Sequence, residues 1–142
     1  MIVVSDTTPL ISLLKIHRLN LLEQLFGGVH IPPAVFSELT ANPNFQTEAD
    51  EIRSCPFIKI SPVDAMKVGK LQNETGLDLG ETEAIVLAES MDADLTLIDE
   101  SNARSVAEKR GLYITGTVGI LGRAYKFGFI AANEVRECVE VF

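Results

Sequence analysis

Two short apolar runs in this 142-residue chain each end in an aspartate: Ile2-Val3-Val4-Ser5-Asp6 and Leu95-Thr96-Leu97-Ile98-Asp99. Runs of this kind, rich in β-branched residues, read as strands buried on both faces. In an open parallel sheet the ligand crevice lies outside the carboxyl ends of the strands, and both carboxylates fall there. Brought side by side, the two charges repel unless something neutralises them. A divalent cation does so.

Two helical acids join the pair. Glu38 lies near the end of an otherwise apolar helix, Ala34-Val35-Phe36-Ser37-Glu38-Leu39, and Glu81 begins one whose same-face partners are Ala84, Ile85 and Ala88. A carboxylate that continues an apolar face points toward the protein, where an ionised group must be paired or metal-bound. Glu83, two positions on, lies on another face. Each acid also has a plain structural use. Asp6 and Asp99 can cap the helices that follow them, Glu81 can complement a helix dipole, and Glu38 can sit in solvent. What points to chemistry is that all four occupy strand or helix ends on one expected rim. Oxygen ligands alone suit Mg²⁺ or Mn²⁺ rather than zinc. His17 and His30 agree with that choice, since neither belongs to an HxxxH, HExxH or Cys/His cluster. Arg104, about one turn beyond Asp99, is placed either to contact phosphate or to pair with a site carboxylate.

The elements that must position these residues alternate. Strands are expected at Ile2–Ser5, Val29–Ile31, Phe57–Ile60, Leu95–Ile98 and Leu112–Ile114. Helices are expected at Pro9–Ile16, Leu19–Phe26, Pro33–Leu39, Thr47–Ser54, Ala65–Asn73, Glu81–Met91, Ser101–Arg110, Val118–Lys126 and Asn133–Val139. Pro9 and Pro33 fall in first turns, where proline is tolerated. Asn42–Asn44 reads as a turn and Gly76–Gly80 as a loop. Strand–helix alternation of this kind gives an α/β fold with a mostly parallel sheet covered on both faces, and no linker or repeat divides residues 1–142.

Composition narrows the field. The chain is 46% hydrophobic and 23% charged, ordinary values for a globular domain. Its formal net charge of −8 argues against a general nucleic-acid coat or a polybasic membrane binder, though not against a nuclease with a local basic rim. No apolar run approaches the roughly 20 residues of a bilayer span, and the opening strand has no signal-peptide pattern. Cys55 and Cys138 read as reduced, structural thiols, so a cytoplasmic protein with no membrane partner is expected. There is no GxSxG, no phosphate-binding GxxxxGK[ST] loop and no GxGxxG after the first strand. Gly116-Thr117-Val118-Gly119 opens a helix and serves either a phosphate or a tight turn.

The ordered set of segments resembles the PIN-domain family. The resemblance is carried by Ile2-Val3-Val4-Ser5-Asp6-Thr7-Thr8-Pro9-Leu10-Ile11, Ile31-Pro32-Pro33-Ala34-Val35-Phe36-Ser37-Glu38-Leu39, Leu79-Gly80-Glu81-Thr82-Glu83-Ala84-Ile85 and Leu97-Ile98-Asp99-Glu100-Ser101-Asn102-Ala103-Arg104. Gly116-Thr117-Val118-Gly119-Ile120-Leu121 is similar to the closing segment of a prokaryotic subgroup related to VapC-like toxins. The resemblance implies a three-layer α/β/α sandwich and a metal-dependent endoribonuclease. It implies catalytic, metal-binding carboxylates at Asp6, Glu38, Glu81 and Asp99, with one or two Mg²⁺ or Mn²⁺ ions, and a hydrogen-bonding role behind them for Thr7. Many PIN nucleases carry aspartate at the third acidic position. Here it is a glutamate with another nearby, so Glu81 and Glu83 both stand as candidates, and the helical face favours Glu81. RNA substrate, a toxin–antitoxin role, an antitoxin partner and a homodimer are implied in the same way. Two other functions compete. One is a non-catalytic PIN-like scaffold. The other is an aspartate-based phosphoryl-transfer protein, for which Asp6-Thr7-Thr8 lacks the second aspartate of a DxDxT motif.

Overall fold

The structure, a computed structural model, describes residues 1–141; Phe142, the last residue of the expected domain, lies outside the described residues. Five strands form one sheet: β1 (Val3–Ser5), β2 (Val29–Ile31), β3 (Ile58–Ile60), β4 (Leu95–Leu97) and β5 (Ile114–Thr115). Their order is β3-β2-β1-β4-β5 and every pairing is parallel. The helices are α1 (Thr7–Lys15), α2 (Leu21–Phe26), α3 (Pro33–Thr40), α4 (Gln46–Arg53), α5 (Ala65–Thr75), α6 (Leu79–Ser90), α7 (Ser101–Lys109), α8 (Thr117–Lys126) and α9 (Ala132–Val141). A 3₁₀ turn at Pro43–Phe45 replaces the plain turn expected there.

Strand period divides the core. On one side, Val3 of β1 and Leu95 and Leu97 of β4 pack with Leu10 and Leu13 of α1 and Ile120 and Leu121 of α8. On the other, Val4 packs with Ala84, Leu87 and Ala88 of α6, while Ile85 of α6 joins Ile98 and the α5 and α7 residues Leu71 and Ala103. Both faces of the sheet are covered, so the fold is a three-layer α/β/α sandwich. From β1 the chain first winds outward to β2 and β3, then crosses back to β4 and β5 on the other flank. The reversal falls between β1 and β4. In open parallel sheets such a reversal, at the carboxyl edge, is where ligands bind.

Several boundaries shift for local reasons. Helix α1 begins at Thr7, two residues before Pro9, because Asp6 takes the N-cap position with extended backbone. The expected loop at Gly76–Gly80 is cut short by Asp78, which caps α6 through a reciprocal box with Glu81. The last strand is Ile114–Thr115 rather than Leu112–Ile114: the N–H groups of Thr96 and Ile98 take Tyr113 and Thr115 carbonyls, at 2.9 Å each.

Glycine tolerance follows from these contacts. A Cβ at Gly28 would stand 2.9 Å from the Phe57 carbonyl oxygen, which already accepts the Val29 N–H. Gly69, inside α5, faces open space. Urea unfolding should therefore show Gly28→Ala losing roughly 1–3 kcal/mol. Gly69→Ala should gain roughly 0.5–1 kcal/mol through its higher helix propensity.

Candidate active site

The register of the two central strands fixes the first pair of carboxylates. Val3, Val4 and Ser5 align with Leu95, Thr96 and Leu97, and the Asp6 N–H donates to the Leu97 carbonyl at 3.0 Å. Asp6 therefore emerges at the reversal point beside the end of β4, with Asp99 just beyond it. Asp6 is only 4% exposed. It occupies the N-cap position of α1, yet its side chain makes no capping hydrogen bond. The capping use available to it is not taken, and the carboxylate has only the amide of the next residue, Thr7, acting on it as a backbone donor.

Asp99 is committed differently. Its Oδ1 accepts the Thr117 N–H at 2.6 Å and its Oδ2 accepts the Thr117 hydroxyl at 2.5 Å. It thus ties the end of β4 to the first turn of α8, a helix eighteen residues on. Glu100, not Asp99, caps α7, accepting the Ala103 N–H at 2.8 Å. Gly116 makes the tie possible, because a Cβ there would lie 2.5 Å from Asp99 Oδ1 and 2.9 Å from Arg104 Nη1. Arg104 itself donates from Nη1 to the Ile98 carbonyl at 3.0 Å. Among the described residues it forms no ion pair with a carboxylate, so the pairing anticipated for it is not made.

The helical acids reach the same edge from α3 and α6, which pack against each other. A Cβ at Gly80 would collide with Glu38 Oε1 and lie 3.6 Å from Asp6 Oδ1. Gly80 thus leaves the space in which these two carboxylates approach. Glu38 is exposed rather than turned into the core as its apolar helix suggested, because it crosses the surface toward α6 instead of continuing the buried face. Glu81 is buried at 9% exposure, and its Oε1 accepts the Asp78 N–H at 3.2 Å. Glu83 is occupied elsewhere: its Oε1 accepts the Ala34 N–H at 2.9 Å, at the start of α3.

Two acids that sequence reasoning passed over complete the cluster. Asp78 acts on both Asp6 and Glu81, and Glu100 acts on Glu81. The pattern Asp78-Leu79-Gly80-Glu81 is a readable cap signal; the approach of Glu100 to Glu81 depends on how α6 and α7 meet. Burial pushes the Asp6 carboxyl up to about 7, against the opposing Thr7 amide and reinforced by the charges of Asp78, Glu38 and Asp99. Burial likewise raises Glu81 to about 7, with Asp78, Asp6 and Glu100 adding to it.

Among the described residues no cation forms an ion pair with these carboxylates, although the Arg104 guanidinium lies near Asp99. The ion pairs among the described residues are Arg18–Glu134, Arg53–Asp50 and Arg110–Glu89, all away from the cluster. The buried Thr7 hydroxyl, beside Asp6, also lacks a hydrogen-bond partner. Among the described residues no three His, Cys, Asp or Glu side chains form a ready-made cage for a metal. The donor set is nonetheless all oxygen, crowded and uncompensated, and its chemistry fits a hard divalent cation.

A model of the PIN-domain family matches residues 2–142. No curated protein matches the chain. Among the described residues no helix is long and apolar enough to cross a membrane.

The raised acids fix a direction of pH dependence. Between about pH 4 and 7 the folded chain holds protons at Asp6 and Glu81 that the unfolded chain has released. Their contribution is therefore most favourable below pH 4 and is lost as pH rises to about 7. Thermal melts of the metal-free protein should show Asp6→Asn gaining on the parent chain steadily across that window. A constant difference between the two at every pH would contradict the burial of an uncompensated Asp6.

Proposed function

The chain belongs to the PIN-domain family, whose members are generally nucleases, hydrolases of nucleic acid, and we propose that it is a metal-dependent endoribonuclease of one nuclease domain. The observation that carries this is the uncompensated carboxylate cluster at the strand-order reversal, centred on buried Asp6. Asp6, Glu38, Glu81 and Asp99 would hold one or two Mg²⁺ or Mn²⁺ ions. Drawing the carboxylates together round a cation removes the repulsion that otherwise keeps them apart. When bound, such an ion polarises a phosphate oxygen and lowers the pKa of water.

The chain's own groups supply the rest. Asp99 is held in one orientation by Thr117, so it is a fixed ligand. Asp6 and Glu81, raised toward neutrality in the metal-free chain, would give up their protons as a cation binds, so binding strengthens as pH rises toward 7. Thr7, with its hydroxyl unpaired, is positioned to orient Asp6. Arg104, unpaired with any acid among the described residues, is left for a phosphate oxygen. Glu83 is already engaged with the start of α3, which supports Glu81 as the ligand of the two. The resemblance of the Gly116–Leu121 segment to VapC-related proteins supports a toxin role. In that role a small antitoxin would cover the acidic rim and the chain would pair as a homodimer.

With Mn²⁺ present, the protein should cleave RNA and melt at a higher temperature than without it. Asp6→Asn and Asp99→Asn should each reduce cleavage at least 100-fold while circular dichroism stays native. Wild-type rates in both variants would remove these residues from the site. A Mn²⁺-induced rise in melting temperature with no cleavage of any RNA would identify a binding scaffold instead. Thr117→Val removes one of the two bonds that orient Asp99. It should lower kcat about tenfold with little change in KM, and Thr117→Ser should restore it.

A further inference from the structure

Helix α3 starts without a cap of its own. Pro32 takes the N-cap position with extended backbone, and neither it nor Pro33 carries a side chain that could accept a first-turn N–H. The acceptor comes from α6 instead: Glu83, half-buried, receives the Ala34 N–H at 2.9 Å. Ala34 is 9% exposed, so its amide has little water to turn to. The Glu83 carboxylate also meets the positive end of the α3 dipole.

A second contact joins the same two helices. Glu38 follows Ala34 by four residues and Gly80 precedes Glu83 by three. Each pair therefore shares one face of its helix, about one turn apart. At one turn Glu83 holds Ala34; at the next, Gly80 leaves the space through which Glu38 approaches Asp6. The other packing of α3 is apolar, through Val35, Phe36 and Leu39. Apolar contact is non-directional and fixes the roll of a short helix less sharply than a hydrogen bond does. The link Ile31-Pro32-Pro33 sets where α3 begins, not how it is turned about its axis.

We propose that Glu83 is a positioning residue for Glu38. By holding the Ala34 amide it sets the roll of α3, and with it the place where the Glu38 carboxylate meets the site. This role rests on the reading of Glu38 as a metal ligand. It also gives the two glutamates of α6 separate tasks, Glu81 facing the carboxylate cluster and Glu83 aligning a neighbouring helix. Positioning and ligation make different demands on the side chain. The Ala34 N–H needs only an acceptor oxygen, which an amide supplies, whereas a hard divalent cation favours a charged one. An aspartate keeps the charge but is one methylene too short to reach.

Calorimetry of Mn²⁺ binding to the full chain, without RNA, reads the placement of Glu38 apart from cleavage. Glu83→Ala and Glu83→Asp should each weaken binding about tenfold, the scale of loss when a group that orients a ligand is removed. Glu83→Gln should bind as the unmodified chain does. Hydrogen exchange at the Ala34 amide should quicken in the first two variants and not in the third. In a Glu38→Gln background, Glu83→Ala should cost no further affinity, since the group it orients no longer carries the charge. Unaltered affinity in both Glu83→Ala and Glu83→Asp would overturn the positioning role and leave the carboxylate site standing. Glu83→Gln binding as weakly as Glu83→Ala would also overturn it, and would make Glu83 a ligand. A full Glu83→Ala effect persisting without the Glu38 carboxylate would reduce Glu83 to a general support of the fold. If the unmodified chain takes up no Mn²⁺, the metal site itself falls, and the role of Glu83 with it.

Discussion

Crowding of like charge at the carboxyl edge of the sheet is the constraint on which the rest of this structure turns. Asp6 is buried without an ion pair or a capping bond, and Glu38, Asp78 and Asp99 all raise its proton affinity. A protein that only needed to fold would solvate such a group, pair it or replace it. Here the fold does the reverse. It places the reversal of strand order under Asp6 and packs α3 against α6 so that further acids arrive. At both points of closest approach the chain carries a glycine, Gly80 beside Glu38 and Gly116 beside Asp99. Stability given up at such a point is the usual mark of a functional one.

The acids are not equivalent, and hydrogen bonding is what separates them. Asp99 has both oxygens committed to Thr117. Glu81 shares a reciprocal cap with Asp78, so its position is set by the first turn of α6. Glu83 has the same chemistry two residues away, yet it serves the N-terminus of α3. Asp6 has only the adjacent Thr7 amide and is held to no other element. The result is a rim on which buried Asp6 is tied only to its neighbour while Asp99, Glu81 and Glu83 are tied to donors more distant in the chain, a difference set by environment and not by residue type.

Much of this was legible in the sequence, and what was not has identifiable causes. The alternation of short apolar runs and amphipathic segments gave five strands and nine helices in the right order among the described residues, because buried parallel strands and cappable helices leave strong local signals. Asp6 and Asp99 stood out because they terminate such strands. The start of α6 was misplaced by two residues: Gly80 looked like a loop residue, whereas it is helical and small so that Glu38 can pass. Glu38 itself was expected to face inward, since a helix's own pattern does not show a neighbouring helix offering a gap. The bond from Asp99 to Thr117 was beyond local reading altogether, because it joins residues brought together only by β4, β5 and the crossover between them. Glu100 escaped notice for the same reason.

The sheet has a further property that concerns neighbours more than catalysis. Its outer strands are β3, three residues long with the exposed Lys59 at its centre, and β5, only two residues long. Edges this short, one of them carrying a charge, offer another chain almost no ladder to extend. Self-association through strand addition is therefore disfavoured, and any assembly of this protein with itself or a partner has to be built from helical surfaces. The exposed Val118, Tyr125, Phe127 and Phe129 on and after α8 are among the apolar side chains available to such a surface.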